Sequence, residues 1–115
     1  MIPKVMEAAK SLSKEGINAE VVDPRSLVPL DIPTIIKSVK KTEHVLIVQE
    51  AIRRGGVGSD ISSIIQEEAF DYLDSPIKIL GGKNIPTPFN LNLEKLVVPQ
   101  VPDIVKAARN AVYAK

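Results

Sequence analysis

Asp23-Pro24-Arg25-Ser26-Leu27-Val28-Pro29-Leu30-Asp31 is the stretch on which the fold turns. It leaves an apolar run, Ala19 to Val22, and leads through two prolines into an amphipathic helical pattern. A second apolar run, Val45 to Val48, ends in Gln49-Glu50 before the turn Gly55-Gly56-Val57-Gly58-Ser59-Asp60. Short β-rich runs alternating with helical patterns specify an α/β fold with a parallel sheet, because parallel strands need crossovers long enough to hold a helix.

Outward from there, residues 3–15 read as a helix, with Pro3 suited to its first turn and Gly16 to its end. Ala19–Asp23 reads as a short strand. Asp31 caps a second helix that carries Ile32, Ile35, Ile36 and Val39 on one face and lysines 37, 40 and 41 near its end. Val45–Gln49 is an aliphatic strand expected to be buried on both faces. Ser59 is expected to cap a third helix reaching Leu73, and Ile77–Leu80 to form a third strand ended by Gly81-Gly82. Asn92 is placed as the cap of a short turn through Leu96, and Pro102 at the start of the last helix. The chain opens on a helix where βαβ logic puts a strand first, so residues 1–115 are expected to be part of a longer chain. Three strands bury little apolar area, which predicts marginal stability.

At 115 residues the chain makes one domain, and its 44% hydrophobic content suffices for a core built from aliphatic side chains. A net charge of +1 with interspersed signs, and no tryptophan, point away from nucleic acid and acidic membranes. The absence of cysteine excludes disulfides and thiolate metal sites. No run is long enough to span a membrane, and the first residues lack the order of a secretory signal. The expected location is inside the cell: cytoplasm, or mitochondrial matrix or plastid.

Four features are candidates for function. The turn at Gly56, Gly58 and Ser59 opens a helix and could offer amides to an anion, but small residues there serve close helix packing equally well. His44 is the only histidine and reads as a surface residue. Glu67, Glu68, Asp71 and Asp74 crowd the end of the third helix, where the helix dipole already disfavours negative charge. They are either offset by nearby lysines or kept to receive a basic partner. Pro86-Thr87-Pro88-Phe89 is stiff, and either seals a subunit interface or lies over the sheet edge.

Taken in order, Ala19 to Asp31, Val45-Leu46-Ile47-Val48-Gln49-Glu50-Ala51, Gly55 to Ile61, Pro86-Thr87-Pro88-Phe89, Leu93-Glu94 and Val98-Pro99 resemble one family. It is the C-terminal domain of the beta subunit of the thiamine-diphosphate-dependent 2-oxoacid dehydrogenases, the pyruvate, branched-chain and acetoin types. The resemblance covers nearly the whole chain, with the pyruvate type as the first expectation. Transketolase and deoxyxylulose-phosphate synthase share the fold, but the Pro-Thr-Pro-Phe segment favours the dehydrogenase subunit.

The resemblance implies a three-layer α/β/α sandwich with a mainly parallel sheet of the transketolase C-terminal type, here without the family's preceding strand. The chain is then expected to be a fragment of a longer subunit, or its sheet to close across the gap or to borrow a strand. The implied reaction is oxidative decarboxylation of a 2-oxo acid with acyl transfer to a lipoyl arm. Thiamine diphosphate and magnesium are implied between the alpha subunit and the beta subunit's N-terminal domain, not on this domain, so no catalytic residue is carried over. What is carried over is assembly. Two beta subunits pack their C-terminal domains near a dyad, and an acidic face with the chain terminus meets the basic subunit-binding domain of the dihydrolipoyl acyltransferase. Asp74 matches an acidic position of that face; Glu67, Glu68 and Asp71 join it by proximity. Tyr113-Ala114-Lys115 brings a positive side chain to the terminus. A free-standing flavodoxin-like module that binds an anion at the glycine turn is the rival from another class.

Overall fold

The structure, a computed structural model, describes residues 1–113. Its elements are α1 (Ile2–Lys14), α2 (Ile32–Thr42), β1 (Leu46–Ile52), α3 (Val57–Ala69), β2 (Lys78–Gly82), α4 (Leu91–Val97) and α5 (Val101–Tyr113); a 3-10 turn, Phe70–Tyr72, extends α3.

The helix ends follow local chemistry. Gly16 takes φ +84° just past α1, and Asp31 caps α2 by accepting from the Thr34 amide at 3.2 Å and its hydroxyl at 2.6 Å. Two caps differ from expectation. Asn90, not Asn92, caps α4, its Oδ1 accepting from the amides of Asn92 and Leu93. Helix α3 starts at Val57 with Gly56 as its cap, and Ser59 lies inside the first turn, its hydroxyl donating to the Arg53 carbonyl at 3.2 Å. The reason is a neighbour: Gln49 Oε1 of β1 accepts the Gly58 N–H at 2.8 Å and does the work of a capping side chain.

β1 and β2 pair in parallel, with Leu46 opposite Lys78, Ile47 opposite Ile79 and Val48 opposite Leu80. An irregularity follows before Ile52 meets Gly82. The two glycines expected to end β2 lie within it. A Cβ on Gly81 would come 2.7 Å from the Ala51 carbonyl oxygen, and one on Gly82 2.5 Å from that of Glu50. Both obstacles are backbone, so Gly82→Ala should cost about 1–3 kcal/mol. A urea midpoint unchanged from the parent would show that β1 yields.

The sheet separates two cores. Ala8 and Leu12 of α1 meet Ile104 and Val105 of α5 over Leu46, Val48 and Leu80. On the other side Val39 of α2 meets Ile65 and Ala69 of α3 over Val45 and Ile77. Val45, just before β1, and Leu46 at its start thus serve opposite cores, as the two-residue repeat of extended chain requires. The fold is α/β, with helices on both sides of a small parallel sheet.

The first of the expected strands, Ala19–Asp23, does not form. Residues 17–24 are without strand structure, and the only ordered sheet among the described residues has two strands. Two cavities separate this segment from β1. One, of about 330 Å³, faces α2 and α3; the other, of about 480 Å³, faces α1 and α5. Both are lined by Glu20, Thr42, His44, Val45, Leu46 and Val48. A strand needs a partner backbone about 4.8 Å away, and the gap denies one to Ala19–Asp23. The sheet does not close across the gap. The same opening leaves β1 half-buried along Leu46–Gln49, where burial on both faces was expected.

Candidate partner-binding surface

Helix α3 turns Ile65 and Ala69 into the core, and this sends Glu67 and Glu68 outward. Asp71 follows on the 3-10 turn and Asp74 just beyond it; all four acids are exposed. No basic residue stands in the last turn of α3. Of the lysines near the cluster, two have partners of their own, and the first of these partners lies within the cluster's own segment. Lys40 sits 4.9 Å above the Tyr72 ring, and Lys41 binds Glu20 at 2.8 Å. Among the described residues no cation lies within ion-pair distance of Glu67, Glu68 or Asp71. Of the sequence-predicted acids only Asp74 has a basic side chain within ion-pair distance among the described residues, His44 Nε2 at 3.6 Å.

His44 is not the surface residue its position suggested. Its side chain is 25% exposed, and Nδ1 lies 3.0 Å from Ser75 Oγ and 3.2 Å from the Ala111 carbonyl. Serine, histidine and aspartate thus meet, which the sequence reading did not foresee; Asp74 and Ser75 are neighbours in the chain, and only the fold brings His44, 31 residues before Ser75, to them. The arrangement does not suit nucleophilic attack. Ser75 is 6% exposed and its hydroxyl is 2.9 Å from the Ala111 carbonyl, so it is committed within the protein. It fastens the end of α5 to the turn before β2.

At the glycine turn the amides have partners. Gly56 donates to the Arg53 carbonyl, Gly58 to Gln49 and Ser59 to the Gly56 carbonyl. A Cβ on Gly56 or Gly58 would collide with the Gln49 side chain. This geometry supports the close-packing reading of the turn.

A second uncovered surface lies after β2. Phe89 is fully exposed, and Ile85, Leu91, Leu93 and Leu96 are each more than half exposed. The prolines at 86 and 88 stiffen the approach to α4, and that short helix buries only Val97. Its leucines therefore face water.

The remaining ion pairs tie elements together. The Arg109 guanidinium binds both Glu15 carboxylate oxygens, joining α5 to the end of α1. It holds the Glu15 carboxyl below the usual range, and its own proton more tightly. Hydrogen bonds from Lys41 and then Ser38 do the same for Glu20, and Lys41 in turn holds its proton more firmly. The Thr34 hydroxyl and amide lower Asp31. Ala114 and Lys115, the expected positive end of the chain, lie outside the described residues.

Among the described residues no group of three or more histidine, cysteine or acidic side chains is placed to hold a metal ion. No helix among them is long and apolar enough to cross a membrane.

Comparison with known proteins finds relatives over nearly the whole chain. The chain is 48% identical over 108 residues to the pyruvate dehydrogenase E1 component subunit beta of Rickettsia felis, covering 94% of this chain and 33% of that protein. It is 47% identical over 113 residues to the mitochondrial subunit beta of Pisum sativum, covering 98% and 32%, and 45% identical to the mitochondrial subunit beta-2 of Oryza sativa, covering 98% and 30%. The chain spans about a third of the length of the curated relatives it matches. Residues 1–104 match the family described as Transketolase, C-terminal domain, and the chain belongs to that family.

Proposed function

We propose that the chain is the C-terminal assembly and docking module of the beta subunit of a pyruvate-dehydrogenase-type decarboxylase. The observation that carries this reading is the apolar surface from Ile85 to Leu96, which so small a fold leaves in water. A second beta subunit is the proposed cover for that surface. The exposed acids Glu67, Glu68, Asp71 and Asp74 are proposed to receive the basic subunit-binding domain of a dihydrolipoyl acyltransferase. An alpha subunit completes the assembly.

In this reading the chain is part of a longer beta subunit, and the cleft between residues 17–24 and β1 takes one further strand of it. The whole enzyme decarboxylates a 2-oxo acid with thiamine diphosphate and magnesium. The residues here do not fit that cofactor by themselves. The two cavities are lined chiefly by aliphatic side chains, with no converging carboxylate or carbonyl oxygens for magnesium and a diphosphate. No chemical step is assigned to this chain, which is expected to be silent alone. The compartment proposed is the cytoplasm of a bacterium or the matrix of a mitochondrion.

The test of the docking surface is binding to the acyltransferase's subunit-binding domain. Asp71→Lys with Asp74→Lys should weaken it about tenfold or more, and added salt should weaken the parent likewise. Binding that tolerates both changes would remove these acids from the interface.

A further inference from the structure

His44, Ser75 and Asp74 meet in a geometry that leaves the imidazole two ways to place its proton. The Ser75 hydroxyl has one proton, and its oxygen lies 2.9 Å from the Ala111 carbonyl, which can only accept. With that bond made, Nδ1 of His44 must donate its own N–H to Ser75 Oγ or to the carbonyl. In the neutral ring Nε2 then turns a lone pair toward Asp74 Oδ2, 3.6 Å away, so two acceptors oppose each other. A second proton on the ring converts that opposition into an ion pair. In the alternative, with Ser75 donating to Nδ1, the ring's N–H sits on Nε2 and is directed toward Asp74.

The backbone holds the pair together. The Asp74 N–H donates to the Glu43 carbonyl at 2.9 Å, and Glu43 turns the chain from α2 toward β1 at φ +63°. Asp74 nevertheless remains 55% exposed on its side chain, open to an external cation.

We propose that His44 is a positioning residue of the docking surface: once protonated it takes the Asp74 carboxylate internally, so the surface loses hold of a basic partner as the medium acidifies. The proposal rests on the docking role of the acids given above. The sign follows from charge. Proton uptake places a cation beside Asp74 and lowers the net negative charge of the cluster. The other titratable groups around the ring are Glu43 beside it, Glu20 and Lys41, and Tyr113 at the end of α5. Glu20 and Lys41 are bound to each other, so neither competes for the imidazole.

The test uses the full chain and a synthetic arginine-rich decapeptide as probe. Between about pH 8 and about pH 5.5, at constant ionic strength, the parent should lose about threefold or more in affinity. His44→Asn keeps a donor for Ser75 and Ala111 but carries no charge, and should lose about half as much or less. His44→Gln serves as the second variant, and an amide spectrum establishes that each is folded. The single histidine supplies an independent signal. Its Nε2–H, followed by nitrogen-15 NMR at the lower pH, should exchange with water severalfold faster in Asp74→Asn. If the peptide binds the parent but the histidine variants lose as much affinity on acidification, or Nε2–H exchange ignores Asp74, the proposal is overturned and docking stands. If the parent does not bind the peptide at about pH 8, the docking reading fails and takes the proposal with it.

Discussion

Ile65→Ala and Leu12→Ala should each lower the free energy of unfolding by about 2–4 kcal/mol. These are the two largest side chains almost wholly removed from solvent, Ile65 at 1% and Leu12 at 2% exposure. Each change deletes buried methyl groups and leaves a space that the surrounding helices fill only in part. Ile65 rests on Val39 and Ala69, with Val45 and Ile77 beneath; Leu12 rests on Ala8, Ile104 and Val105, with Leu46 and Val48 beneath. The sheet stands between the clusters, so the losses should add in the double variant. A small domain holds only about 5–15 kcal/mol in total, so the double variant should lose much of its folded population. Urea denaturation checks this through the midpoints at an unchanged slope. A double variant no weaker than either single one would mean that the two sides act as one cluster.

Phe89→Asp combined with Leu91→Asp should weaken association between beta subunits about a hundredfold while leaving the isolated fold almost untouched. The side chains are in water already, Phe89 completely and Leu91 at 73% exposure, so unfolding should shift by about 0.5 kcal/mol or less. In an interface the same residues become buried anchors, and truncating an anchor costs about 2 kcal/mol or more. A carboxylate in its place adds an unpaired buried charge. Sedimentation equilibrium of the full chain measures the association, and urea denaturation of the same samples measures the fold. Unchanged association would send the search for the subunit contact elsewhere. A large loss of stability would instead show that Phe89 belongs to the core.

Most of the helical architecture was legible one residue at a time. Asp31 capped α2 as expected and Gly16 took the left-handed turn after α1, because capping involves groups within a few residues of each other. Where the deciding group was distant, the local reading failed. Ser59 had the right chemistry for a cap, yet Gln49 on β1 supplied the acceptor and α3 began earlier. Gly81 and Gly82 looked like an ending, but they are strand residues that let β1's carbonyls pass close. His44 looked exposed because its partners, Ser75 and Ala111, stand 31 and 67 residues further along the chain. The acidic cluster could be found by its clash with the helix dipole, but not that Lys40 would lie over Tyr72, between Asp71 and Asp74 in the chain, or that Lys41 would bind Glu20.

The sequence by itself determined the helices, the two aliphatic strands and their parallel α/β character, because periodicity and end-capping act over one or two turns of chain. The tertiary structure alone decided that Ala19–Asp23 stays outside the sheet, that β1 keeps an open flank, and that His44 reaches Asp74. A strand exists only beside another backbone, and an imidazole's bonds depend on what the fold brings to it. Neither condition is written in the residues that must meet it.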